Sequence, residues 1–562
     1  MKKKVAYASL LTLGLLSCGT PTIVSSSSIS EDSSSLISSS SEEKESSSSK
    51  VESTFASSSE VTTCEKDEDG FIKLKEGYLN NDTRPHSFGR DIESKAKCPS
   101  FRLYLGNELV PVYGVYVNQS HAWDPEAKNR DLAGVASVSI SVGASFFLQT
   151  TWVVDGRCKI LPSNEGINLS FIEEYRAVKF EITRPGDYVI EYRGNRMLHL
   201  FVHEYGESVP YNESNSVYFG PGIHNKNNDS RLRNNSTYTI QSNQTVYIAE
   251  GAFVEGAFVA NGASNFKIMG KGFVDGSVFD RNANKNTRFI PFDFSSCSNF
   301  SFSGFGVLDP AGWCFNLYFS SHIEMKGVKI ISSRSNGDGI SLQSCKHVLV
   351  DSCFVRSYDD SIVVKNYPLW SNRSIEGASE DIEVCNCRIY NDLAQCLEIG
   401  YETVGETLKD IYFHDITILA ATHKAVISIH NANNANIKNV RFENITIENL
   451  SVGQGDGSPY LIDFSIAYSP TWSDQHKVTG LGSIDGVIVK GVYVLGGSKK
   501  EPKIMIKGSM ETRSSYPHVA HEISNVALEE IYLFGERIDS SYSGIETSYA
   551  HNITLDGEVI AE

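Results

Sequence analysis

One eight-residue pattern restricts the fold of this chain more than any other feature: apolar, any, apolar, any, small or polar, any, any, apolar. It begins at Phe266 (FKIMGKGF), Phe300 (FSFSGFGV), Ile323, Val348, Ile382, Ile411, Val440, Val487 and Val526, at intervals from the low twenties to the forties. A constant strand kernel therefore carries loops of variable length. Alternate residues of a strand face opposite ways, so a single kernel can bury its inward side chains only by stacking on its neighbours, which defines a solenoid. Helical repeats would need a 3.6-residue period, and the Ile/Val/Phe-rich kernel lacks the spacing of leucine-rich repeats. The expected architecture over residues 216–562 is a parallel β-helix.

Residues 63–215 read differently. Short alternating runs such as FRLYLG, LVPVYGVYV, VASVSISV and GDYVIEYR, punctuated by Gly, Pro and Asn, predict an antiparallel β-sandwich and make the whole chain all-β. Residues 1–18 combine a basic start, a short apolar run and Leu-Leu-Ser-Cys, an export signal similar to the lipobox of bacterial lipoproteins, which implies lipid attachment at Cys18. Residues 19–62 are about half serine and too poor in apolar groups to fold, so a flexible stalk is expected. The protein is thus expected to be exported and either lipid-anchored at the cell surface or secreted, with the lipid as its only membrane contact. A net charge of −18 opposes nucleic-acid binding, and a monomer is expected. Among Cys64, Cys98 and Cys158 a bridge is possible but unassigned, whereas Cys353 and Cys387 share a kernel position and are expected to stack as small apolar groups. No cysteine or histidine spacing suits zinc, and neither metal nor cofactor is expected.

The kernel is also a ruler. Asp338, in NGDGISL, lies 15 residues after Ile323, and Asp359 and Asp360, in YDDSIVVK, lie 11 and 12 after Val348. The carboxylates thus occupy nearly the same part of adjacent rungs, about 4.8 Å apart per rung. That approaches the separation of about 6.5–9.5 Å at which one carboxyl protonates a glycosidic oxygen while another activates water. Both members of the Asp pair can face outward only if the chain turns at Tyr358–Asp360.

These two motifs inside a β-helix resemble glycoside hydrolase family 28, the polygalacturonases and their relatives, over roughly residues 217–450. The resemblance implies a right-handed, pectin-lyase-like helix, with Asp359 as general acid and Asp338 and Asp360 positioning and deprotonating the water. A sandwich ahead of such a helix is also similar to the layout of family 49, the dextranases and isopullulanases. Two departures stand out: Gln395 occupies the place of the family's Gly-His-Gly histidine, and Ser428 and His430, in AVISIHN, replace its Arg-Ile-Lys. Without that cationic pair a uronate carboxylate loses its clamp, so polygalacturonate is not the expected substrate.

Further candidates for substrate binding are Lys365, Gln395, Glu398, Glu402, His423 (expected near the register of Asp360 two rungs on) and His430. Trp313, Trp370 and Tyr401 are candidate platforms for the apolar faces of sugars, with Tyr358 beside them. The expected activity is an inverting hydrolase of a poly- or oligosaccharide. A polysaccharide lyase using Lys365 or Arg356 as base, and a non-catalytic glycan-binding lipoprotein, are the alternatives.

Overall fold

The nine kernels lie side by side in one parallel ladder. Phe266 pairs with Phe300, Phe300 with Ile323, Ile323 with Val348, Val348 with Ile382, and Ile382 with Ile411. The series continues through Val440, Val487 and Val526, and the ladder extends past the pattern at both ends, through Thr245–Ile248 and Ser216–Phe219 before Phe266 and through Ile553 after Val526. The protein is described by a computed structural model. It covers residues 65–562 except 207–208, 211–213, 368–376, 470–479, 499–500 and 511–518. The expected signal, Cys18, the serine-rich stalk and Trp370 lie outside the described residues.

The small-or-polar fifth position is a corner. Gly304, Gly327, Ser352, Asn386, Asp415, Asn444 and Gly491 occupy it with φ between +52° and +82°, a region that a Cβ makes costly and that Gly, Asn and Asp tolerate best. The residue before each kernel forms a second left-handed column, including Asn265, Asn299, His347, Asp381 and Asn439. Between these columns the first and third kernel residues point inward and stack rung on rung, as Phe266 does on Phe300 (ring centroids 4.8 Å apart) and Phe413 on Phe442 (5.0 Å). Cys353 and Cys387 are buried in the same stack, and Cys98 and Cys158 are buried free thiols. A second parallel sheet closes the helix, running from Thr237–Thr239 through Ile340–Gln343, Ile362–Asn366, Leu397–Thr403 and Ile427–Asn431 to Ile545–Ser548.

The sandwich is built from two sheets, and its pairings are antiparallel with one exception: Asp131–Ile140 runs parallel to Arg196–Glu204. These strands are far apart in sequence, with the other sheet's strands between them, so the chain has room for the crossover a parallel pair needs. The sheet containing them is buried on both faces. One face packs on the second sheet through Leu103, Phe146, Ile190 and Leu200. The other, through Tyr113, Val135, Met197 and Phe201, packs on Phe273, Ile331, Phe354 and Tyr390 of the helix. That is why Arg196–Glu204 is buried almost throughout, while the outer strand Phe101–Leu105 alternates. Lys66–Glu562 form one compact unit.

The corner column gives a direct test. Ser352→Gly is expected to leave the urea midpoint within error, and Ser352→Val to lower stability by about 1–2 kcal/mol, because a β-branched residue is strained at φ +55°.

Candidate active site

Strand Ile340–Gln343 pairs with Ile362–Asn366 so that Ile340 faces Ile362, and Ile362 faces Leu397. Two residues earlier in each strand the same register continues through the turn. The N–H of Cys314 bonds to Asp338 O, that of Gly339 to Asp360 O, that of Ser361 to Gln395 O and that of Cys396 to Ala425 O. Trp313, Asp338, Asp360, Gln395 and Ala425 therefore form one column, with Asp359 one residue to its side. The glycines flanking Asp338 are required by close approach: a Cβ on Gly339 would meet Ser361 O at 2.4 Å, and one on Gly337 would meet Ser332 Oγ at 2.1 Å.

A corner does lie between strands Phe354–Ser357 and Ile362–Asn366, and buried polar groups pin it. Asn391 Nδ2 donates to Asp359 O (3.0 Å), Ser361 Oγ (2.9 Å) and Gln395 O (3.1 Å), and Ser357 Oγ donates to Asp359 O (2.7 Å). Asp359 Oδ1 accepts the N–H of Asp360 (3.1 Å), and Asp360 Oδ1 accepts that of Gln395 (3.3 Å).

Crowding and burial set the charge state. Burial lifts the Asp338 carboxyl, Asp359 and Glu402 add to the rise, and Lys365 opposes it, leaving its pKa at about 7. Burial, then Asp359, Asp338 and Glu398, push Asp360 far above the usual carboxylate range. Burial also raises Asp359, against the pull of Lys424, Lys365 and Arg281. Lys365 is itself buried, which works against its charge, yet Glu402, Asp338, Asp360 and Asp359 outweigh that and raise its pKa. Its Nζ lies 3.4 Å from Asp338 Oδ2 and 3.8 Å from Glu402 Oε2, and sits 4.7 Å above the Trp313 ring.

The remaining candidates take varied places. Glu398 is fully buried and bonds His430 Nδ1 at 2.8 Å and the Ser428 hydroxyl, while His430 Nε2 lies 3.3 Å from Asp463 Oδ2. Burial opposes the imidazolium, but Glu398 and Asp463 prevail and hold His430 at about 10. Tyr401 stacks on His430 at 4.2 Å. His423 is two residues short of the expected register, because the rungs beyond Asp360 carry extra residues and Ala425 falls in the column. It braces a loop instead, accepting the Ala394 N–H at Nδ1 (3.3 Å) and meeting Asp456 at Nε2 (2.8 Å), and burial lowers its pKa. Tyr358 is a core residue whose hydroxyl donates to Ala122 O in the sandwich. Arg356, fully buried, forks onto Asp392 (2.7 and 2.9 Å) beneath the sandwich, which removes it as a base, and a lysine of raised pKa such as Lys365 is a poor one.

Sequence reading missed Lys424 and Arg281, whose charges act on Asp359. It also missed Asn391. Lys424 adjoins the column residue Ala425 and was legible once the loop length was known; Arg281 comes from a long loop with no kernel to mark it.

A sequence model described as Glycosyl hydrolases family 28 matches residues 222–543. No curated protein matches the chain. Among solved structures it is similar to a hyperthermoactive exopolygalacturonase from Thermotoga maritima (16% identity, 61% of this chain and 84% of that one, TM-score 0.43). It is also similar to Dex49A from Penicillium minioluteum (12% identity, 85% and 99%, TM-score 0.49) and to a family 28 exopolygalacturonase from Yersinia enterocolitica (12% identity, 74% and 97%, TM-score 0.41).

The raised carboxyls predict a pH-dependent cost. Asp360 keeps in the folded state a proton that the unfolded chain surrenders near pH 4, so its contribution to stability falls as pH rises above that value. Asp360→Asn, which retains the oxygen facing the Gln395 N–H, should match the wild-type Tm at pH 4 and exceed it by about 1–2 °C at pH 7.5. Equal Tm values at both pH values would contradict this.

Proposed function

The chain belongs to Glycosyl hydrolases family 28, and on that footing we propose that it cleaves the glycosidic bonds of a neutral polysaccharide with inversion, Asp359 acting as general acid, Asp338 as base and Asp360 positioning the water. The reading rests on one observation: Asp338 and Asp360 share a column on adjacent rungs, with Asp359 beside them. A glycosidic oxygen leaves poorly until protonated, and water attacks poorly until deprotonated. Asp359 gives its proton to that oxygen as the bond to the anomeric carbon breaks. Water positioned by Asp360 loses a proton to Asp338, whose negative charge Lys365 supports, and attacks the same carbon from the opposite face.

The three carboxyls titrate as a set. Asp360 is raised furthest, and the choice of Asp359 as donor comes from the likeness of YDDSIVVK to the family motif and from its place beside the column. Lys365 keeps negative charge on Asp338 against the cost of burial.

Neutral substrate follows from the cations. Lys365 faces Asp338 and Glu402, and His430 is held between Glu398 and Asp463. Both are already matched by carboxylates, so neither is free to clamp a uronate. The export signal and Cys18 support a lipid-tethered enzyme working outside the membrane.

The test is reducing-sugar release from a panel of neutral and acidic polysaccharides. Residues 63–562 should act on a neutral member, and Asp359→Asn should lower the rate by about 10²–10⁴-fold. Undiminished release by that variant, or a product absorbing as an unsaturated uronate, would contradict the proposal.

A further inference from the structure

The loop between strands Tyr113–Val117 and Asp131–Ile140 belongs to the sandwich, yet it runs along the aspartate corner of the helix. Ala122 O accepts the hydroxyl of Tyr358, the neighbour of Asp359, and Ser120 Oγ lies 3.1 Å from the same hydroxyl. Pro125 O accepts the N–H of Ala283 (2.8 Å) and the hydroxyl of Ser335 (3.5 Å), and Arg281 Nε donates to Ser335 O (2.7 Å). Further along the helix, a Cβ on Gly455 would meet His121 O at 1.7 Å. The loop is therefore anchored at both of the turns that carry the carboxylates.

Trp123 lies between these anchors. Its flanking residues are fixed to Tyr358 on one side and to Ser335 and Ala283 on the other, while its own ring is half-buried. The indole N–H is buried and donates to no protein atom among the described residues. The burial of that tip leaves the rest of the ring as the exposed part, and the face of an aromatic ring suits the apolar face of a sugar.

We infer that Trp123 is a substrate-binding residue of the active site, stacking the exposed part of its ring on the sugar next to the scissile bond, so that the sandwich supplies one wall of the site. The inference rests on the hydrolase reading above. It also assigns the sandwich a part in catalysis that an end cap would not have.

The experiment compares wild type, Trp123→Phe and Trp123→Leu in the full chain, on the polysaccharide that the wild type degrades. Phe keeps an aromatic face and Leu fills similar space without one. Trp123→Leu is expected to raise KM about tenfold with kcat within about threefold, Trp123→Phe to recover most of the loss, and both to keep the wild-type Tm. An unchanged KM in Trp123→Leu overturns the inference alone, as does an equal loss in both variants accompanied by a fall in Tm, which marks a purely structural residue. A wild type inactive on every polysaccharide overturns the hydrolase reading and this inference with it.

Discussion

Parallel strands paired in register, rung upon rung, are what the rest of this molecule depends on. Each rung buries its inward residues only against the rungs above and below, so a shift of one residue would turn the core face outward. The same register places side chains at a turn directly over those of the next turn. That brings Asp338 over Asp360 although they are 22 positions apart in sequence, and it needs no contact between them to do so. The loops are free to vary because the ladder does not use them.

The same register gathers charge. Asp338, Asp359, Asp360, Glu398 and Glu402 come from three consecutive rungs, and Lys365 and His430 are drawn into their field. Repulsion among the carboxylates costs stability at neutral pH, and the stacked apolar interior offsets it. A proton held near neutrality is the return, since a carboxyl with an ordinary pKa would have lost it. The matched cations also explain how the face can lose a uronate clamp without losing its lysine.

How much was legible varies with the range of the interaction. All nine kernel starts fall in one column, because each is set by local alternation and by a corner that admits few residue types. The turn at Tyr358–Asp360 was likewise readable, since two adjacent acids cannot both face outward on a regular strand. His423 was misplaced because register was extrapolated across rungs that each gain a residue. Tyr358 and Arg356 carried no mark of the sandwich that covers them, and Trp123 lies in a domain whose docking no sequence pattern reported. The parallel pair in the sandwich was hidden for the same reason: strand pattern gives faces, not partners.

The central claim is that the trio carries out a single displacement, with water as the nucleophile. Its most direct test is the anomeric configuration of the first product, followed by proton NMR before mutarotation on the substrate the enzyme degrades. The account predicts a reducing sugar of configuration opposite to that of the cleaved linkage. Retention of configuration would require a covalent intermediate on one of these carboxylates and would contradict it.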